Sequence, residues 1–182
     1  MKKLLVAFAI VASAAIAHAG AASWSVMNIQ GASGNAPEGW LVQVFDAATA
    51  YSYDAVKAGT LVALDSQLSA KSSATATTVK AGGSGVGSYG ASEEVSWYAV
   101  IYDASTVAGA SNYIVSDVKT VKVSAAGAVP AMAFGNMALT TTANLFRNAT
   151  WTSTQPTPTP EPTSAMLLVL GLAGLALRRK QK

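Results

Sequence analysis

Val95-Ser96-Trp97-Tyr98-Ala99-Val100-Ile101-Tyr102 is the stretch that decides the fold. Aromatic and β-branched side chains dominate it, and these types suit a pleated, packed surface. No glycine, proline or charge interrupts it. It reads as a buried strand, and its neighbours in the sequence read the same way. Gly39-Trp40-Leu41-Val42-Gln43-Val44-Phe45 is a second strong strand, and Trp24 to Ile29 a weaker one. Asn112 to Ser116 and Lys119 to Ser124 follow. In the last of these, Lys119, Val121 and Val123 alternate with Thr120, Lys122 and Ser124, the pattern of a half-exposed strand. Helical spacing of Val56, Leu61 and Leu64 predicts a helix over 52–64, weakened by Gly59 and Thr60. A second helix is expected over 138–146. The expected fold is mainly β and sandwich-like with one or two short helices, a single domain over residues 20–154.

The two best strands belong to a weak internal repeat. Trp40 to Thr49 and Trp97 to Thr106 share Trp, Asp, Ala and Thr in register, with apolar residues between. In each copy a buried strand exits through an Asp (Asp46, Asp103) into a turn, where the carboxylate can accept from following backbone N–H groups. The other reading is a pair of matched calcium ligands. Calcium takes six or more oxygens, and no dense Asp/Asn run supplies them. Strand-ending turns are therefore expected.

Residues 66–92 are of low complexity. Twenty of the twenty-seven are Ser, Thr, Ala or Gly, which predicts a long loop or an exposed strand pair. Gly85-Val86-Gly87-Ser88-Tyr89-Gly90 has the glycine spacing of a dinucleotide-binding turn. That turn must open a helix, and here a strand follows, so the match is a product of glycine abundance.

The chain has no cysteine and one histidine, His18. The histidine lies in an N-terminal segment expected to be removed, which eliminates Ser-His and Cys-His catalysis and most transition-metal sites. The formal charge of +3 comes from the two ends. Between residues 20 and 163 six basic residues face nine acidic ones, a net charge of −3. That balance argues against a nucleic-acid partner. Glu93 and Glu94 are adjacent carboxylates, which on a strand point to opposite faces. They cannot flank one glycosidic bond, as a carboxylate-based polysaccharide hydrolase needs. Asp46, Asp103 or Asp117 would have to complete such a pair, and no spacing argues for it. Trp24, Trp40, Trp97, Tyr98 and Tyr102 are either core or a sugar-stacking platform, and core is the commoner use. Asn148-Ala149-Thr150 forms a glycosylation sequon.

The ends are signals. Met1-Lys2-Lys3, an apolar run from Leu4 to Ile16 and Ala17-His18-Ala19 form a secretory signal peptide over residues 1–19. Cleavage by signal peptidase is expected after Ala19, with Ala21 as the alternative. At the other end a Pro/Thr linker covers residues 155–163, with proline at every second position from Pro156 to Pro162, and favours a semi-rigid extended spacer. Ala165 to Leu177 follows without a charge. As a helix its thirteen residues would rise about 20 Å, short of the ~30 Å hydrocarbon core. Arg178, Arg179 and Lys180 then act as a membrane stop and hold that end in the cytoplasm.

Pro160-Glu161-Pro162, an apolar helix and a basic cluster, in that order over residues 160–182, resemble the PEP-CTERM sorting signal of Gram-negative bacteria. The resemblance implies an exosortase-type processing enzyme as partner and cleavage near Pro160-Glu161-Pro162. The inner membrane would be a transient anchor before release to the cell surface or the extracellular space. The leading functional expectation is a non-enzymatic cell-envelope or extracellular-matrix protein without cofactor or metal, with exopolysaccharide as a candidate partner. A carbohydrate-binding module and a carboxylate-based hydrolase are the alternatives.

Overall fold

A computed structural model describes residues 20–124 and 128–155. In chain order they form β1 (Gly20–Met27), β2 (Gln30–Gly31), β3 (Gly34–Asn35), β4 (Leu41–Asp46), α1 (Tyr53–Lys57) and β5 (Asp65–Leu68). Then come β6 (Ala70–Lys71), β7 (Val79–Tyr89), β8 (Glu94–Tyr102) and β9 (Asn112–Val115). β10 (Lys119–Lys122), β11 (Met132–Asn136) and β12 (Thr152–Ser153) complete the domain. One sheet has the order β11-β1-β7-β6 and the other β12-β9-β8-β4-β5, with β10 also paired to β8. β2 and β3 form a separate small hairpin. The pairings are antiparallel except β1 with β11, which is parallel.

β8 is the hinge of the packing because both of its faces are covered. Val95, Trp97, Ala99 and Ile101 enter the core between the two sheets, with Ala22, Trp24 and Val26 of β1, Val42 and Val44 of β4, and Met132 and Phe134 of β11. Tyr98, Val100 and Tyr102 point the other way into a second apolar layer with Phe45. That layer is covered by α1 and the segments flanking it, through Tyr51, Tyr53, Val56 and Leu61. A strand buried on both faces shows no alternation, which is why its sequence is a continuous apolar run. The sheets are also tied by the buried indole N–H of Trp24 in β1, which donates to Asp65 Oδ2 in β5 at 2.7 Å.

β9 and β10 are two parts of one edge laid along β8, spliced by Ser116. Val115 pairs with Val100, and Lys119 with Trp97. Between them the Ser116 N–H donates to Ala99 O at 2.9 Å, and the Ala99 N–H donates to Ser116 Oγ at 2.9 Å. A hydroxyl thus stands in for a ladder carbonyl while Asp117 and Val118 bulge outward. Ser116→Ala leaves the Ala99 N–H buried without a partner, and should cost about 1–3 kcal/mol of stability. Ser116→Thr, which keeps the hydroxyl, should cost less. Urea unfolding of the two variants checks this, and equal losses would refute the splice.

The strands expected from sequence are present, with β1 beginning at Gly20 rather than Trp24. Two expectations are corrected, and a third is sharpened. The helix over 52–64 is one short turn, α1, capped by Ser52 Oγ, which accepts from Ala55 N at 3.3 Å. It stops because the Thr60 and Leu61 N–H groups both fold back onto Ala55 O. The helix over 138–146 is absent, and the segment is a chain of turns. Asn136 Oδ1 accepts from Ala138 N, and Asn144 Nδ2 donates to Met137 O and Leu139 O. Asn side chains here take backbone groups that a helix would need. Gly135 makes the turns possible. It has φ +96, and a Cβ there would collide with Ala143 O. The low-complexity stretch holds both expected elements, a loop over 72–78 and the antiparallel pair β6–β7, most of whose residues are exposed. It supplies β7, an eleven-residue strand central to its sheet that buries Val79, Ala81 and Val86. The expected signal helix over 1–19 and apolar helix over 165–177 lie outside the described residues.

Candidate functional site

The repeat found in the sequence becomes a local two-fold arrangement. β4 and β8 are antiparallel neighbours with Val42 opposite Ile101, Val44 opposite Ala99 and Asp46 opposite Trp97. Beyond Val42 the register shifts, with the Leu41 N–H donating to Ala104 O at 2.8 Å, and Trp40 and Asp103 come together as lining of one cleft. One Asp and the tryptophan of the other copy thus lie at each end of the strands. About six residues at roughly 3.4 Å each separate the ends, so Asp46 and Asp103 are some 20 Å apart and cannot share a calcium ion.

The two ends differ in what covers them. Trp97 is fully buried, with the Tyr89 ring 6.1 Å away. Asp46 beside it is exposed and makes the expected turn, its Oδ1 accepting from Ala48 N at 2.8 Å. At the other end Trp40 is only half-buried and lines an open cleft of about 350 Å³ with Pro37, Asp103, Asn112 and Trp151. Trp40, Asp103 and Asn112 stand on the core-facing side of β4, β8 and β9, just beyond the last core residues Val42, Ile101 and Ile114. The cleft is the open mouth of the sandwich.

Its walls are held from several directions. Trp40 and Trp151 meet edge to face, with ring centres 5.4 Å apart and planes at 73°. The Trp40 N–H donates to Ser69 Oγ at 3.0 Å, and Trp40 O accepts from Ser69 N at 2.8 Å. The β2–β3 hairpin lies on the Trp40 ring through Gly31, where a Cβ would come within 2.7 Å of Trp40 Cη2. Asp103 is no simple turn residue. Its Oδ1 accepts from the N–H groups of Ser111 and Asn112 at 2.8 and 2.9 Å, and its Oδ2 from Asn112 Nδ2 at 2.8 Å. It brackets the 103–112 loop and fixes the Asn112 amide in the cleft.

Other residues singled out in the sequence are not brought together. Trp24, Trp97, Tyr98 and Tyr102 are core, the commoner of the two readings, and of that set only Trp40 reaches solvent. Glu93 and Glu94 are exposed, and Glu93 Oε2 accepts from Gly90 N at 2.7 Å. Gly85 to Gly90 belong to β7 and the turn after it, with no helix following. Among the described residues no group of three or more His, Asp or Glu could hold a metal ion. Trp151 was missed. It lies 111 residues from Trp40, in a polar stretch without strand periodicity, and its signal was its solitary bulk just before the proline-rich linker.

Trp151 also begins the exit of the chain. Thr152 and Ser153 pair with Tyr113 and Asn112, and Thr154 holds Ser111 O and Ala110 O through its N–H and hydroxyl. The tail thus departs from the sheet edge beside the cleft. The family model of the PEP-CTERM protein-sorting motif matches residues 158–180. This tail is a PEP-CTERM sorting motif. It contains Pro160, Glu161, Pro162, Arg178, Arg179 and Lys180, all outside the described residues, as are Ala17 and Ala19. No curated protein and no solved structure matches the chain. Among the described residues no helix is long and apolar enough to cross a membrane.

Proposed function

We propose that the chain is an exported, non-enzymatic protein of the cell envelope or extracellular matrix, released through its C-terminal sorting signal. The PEP-CTERM motif over residues 158–180 carries this reading. A sorting tail of this kind points to an exosortase-type enzyme, and so to a substrate that has crossed the inner membrane. The order of events follows from the chain. Signal peptidase cuts after Ala19, which leaves Gly20 in the mature chain to pair with Tyr89. Cleavage after Ala21 would instead remove the Gly20–Tyr89 pairing from β1. The apolar segment holds the protein in the inner membrane while the body folds outside it. Cleavage near Pro160-Glu161-Pro162 then frees the body.

Mass spectrometry of the protein recovered from producing cells tests the proposal. The expected mature form begins at Gly20 and ends near Pro160. Glu161→Ala with Pro162→Ala should move the protein to the membrane fraction with Lys182 intact. A wild-type protein that keeps Lys182 would make the tail a permanent anchor and refute processing.

A further inference from the structure

We infer that the cleft between Trp40 and Trp151 is a binding site for a neutral saccharide. This does not depend on how the tail is processed, because the cleft is built from the body alone.

Four features select the ligand. Two half-buried indoles meet at a steep angle, one as floor and one as side wall. A sugar ring offers such surfaces its C–H face, which is apolar and slightly positive, against the negative face of an aromatic ring. Polar groups converge on the same space. Asp103 Oδ2 takes one donor from Asn112 and keeps a lone pair, and Asn112 keeps its carbonyl oxygen and one amide hydrogen. Neither the Trp40 nor the Trp151 indole N–H has a hydrogen-bond partner among the described residues. Asp103 and Asn112 together can accept from and donate to neighbouring hydroxyls, which is the chemistry of a vicinal diol. Among the described residues that line the cleft none is basic, and the one charge is the Asp103 carboxylate. A uronate, sulfate or phosphate would be repelled, which leaves the neutral sugars. The volume of about 350 Å³ lies at the small end of ligand pockets, which suits a short stretch of glycan in an open mouth.

The geometry is also prepared in advance. Asp103 is fixed by three hydrogen bonds, Trp40 by Ser69, and the roofing hairpin by the absence of a side chain at Gly31. Groups already locked cost little ordering entropy when a ligand arrives.

The test is a titration of the full-length protein, solubilised in a zwitterionic detergent that carries no sugar headgroup. Tryptophan fluorescence is followed against three sets of oligosaccharides: neutral ones from the producing cells' own surface polysaccharide, neutral plant glucans, and uronic-acid oligomers. Saturable change with either neutral set supports the site, and which set binds more tightly identifies the source. Trp40→Ala should weaken binding about tenfold or more. Ala32→Trp, on the exposed hairpin tip, should block the cleft while leaving the frame intact, and decides the matter if Trp40→Ala fails to fold. Response to the uronic-acid oligomers alone, no response to any set, or unchanged affinity in Ala32→Trp would each overturn the inference.

Discussion

Trp97→Ala should lower the free energy of unfolding by about 3–5 kcal/mol, the range for removing a large buried aromatic from a core. Trp97 is 1% exposed, sits on a strand whose two faces are both covered, and fills the space between the sheets. The cavity cannot collapse easily. β8 is bonded to β4 on one side and to β9 and β10 on the other, so its backbone has little freedom to move inward. A domain of this size holds about 5–15 kcal/mol in total, so the loss is a large share of it. Trp97→Phe should cost clearly less. Chemical denaturation of both variants measures the difference, and a Trp97→Ala variant within 1 kcal/mol of wild type would show that the core is not organised around this ring.

The second large effect is alkaline. Burial pushes the Tyr102 phenol up to about 12, and pushes Tyr51 further still. The Tyr51 hydroxyl donates to the Tyr102 hydroxyl at 3.1 Å, so the half-buried Tyr51 and the buried Tyr102 form one pair. Burial also raises Tyr98 and Tyr89. In the unfolded chain these phenols lose their protons near pH 10, whereas in the fold they keep them. Above pH 10 the unfolded state therefore binds fewer protons, and stability falls as pH rises. The contribution is fully present below pH 10. It is lost through the folded values, up to about 3 kcal/mol for Tyr102 alone. Phenolate absorbance and circular dichroism should change together in one cooperative step above pH 10. Tyr51→Phe, which removes one ionisable member of the pair, should move that step upward. Phenols that all titrate near 10 in a protein that stays folded would contradict the pair.

The strands legible in the sequence were those whose side chains announce burial. β4 and β8 are rich in aromatic and β-branched residues, and β4 ends at, and β8 just before, the aspartate the repeat singled out. β7 was legible only as one of two readings, a loop or an exposed strand pair, because its partners demand smallness. A Cβ at Gly82 would come within 2.7 Å of Trp24 O on β1, so close strand approach selects glycine where propensity expects a loop. The false helix over 138–146 had the right apolar spacing, but the amides of Asn136 and Asn144 outcompeted it. Half of the cleft could be read in advance. Trp40 and Asp103 were both marked, yet their juxtaposition depends on the β4–β8 pairing and on the register shift at Leu41 that ends it. Trp151 reaches them through two ladder steps of β12, which no local pattern encodes.

Those two ladder steps also set the mechanical behaviour of the protein. Any pull transmitted through the residues after Gln155 reaches β12 first, at the edge of its sheet. Antiparallel edge bonds loaded from one end open one after another instead of sharing the load. Peeling Thr152 and Ser153 from Tyr113 and Asn112 would draw Trp151 off Trp40 while the core around Trp97 stays closed. Tension on the tail would thus open one wall of the cleft before it reached the core, so that the cleft is the part of the domain most sensitive to force from that end.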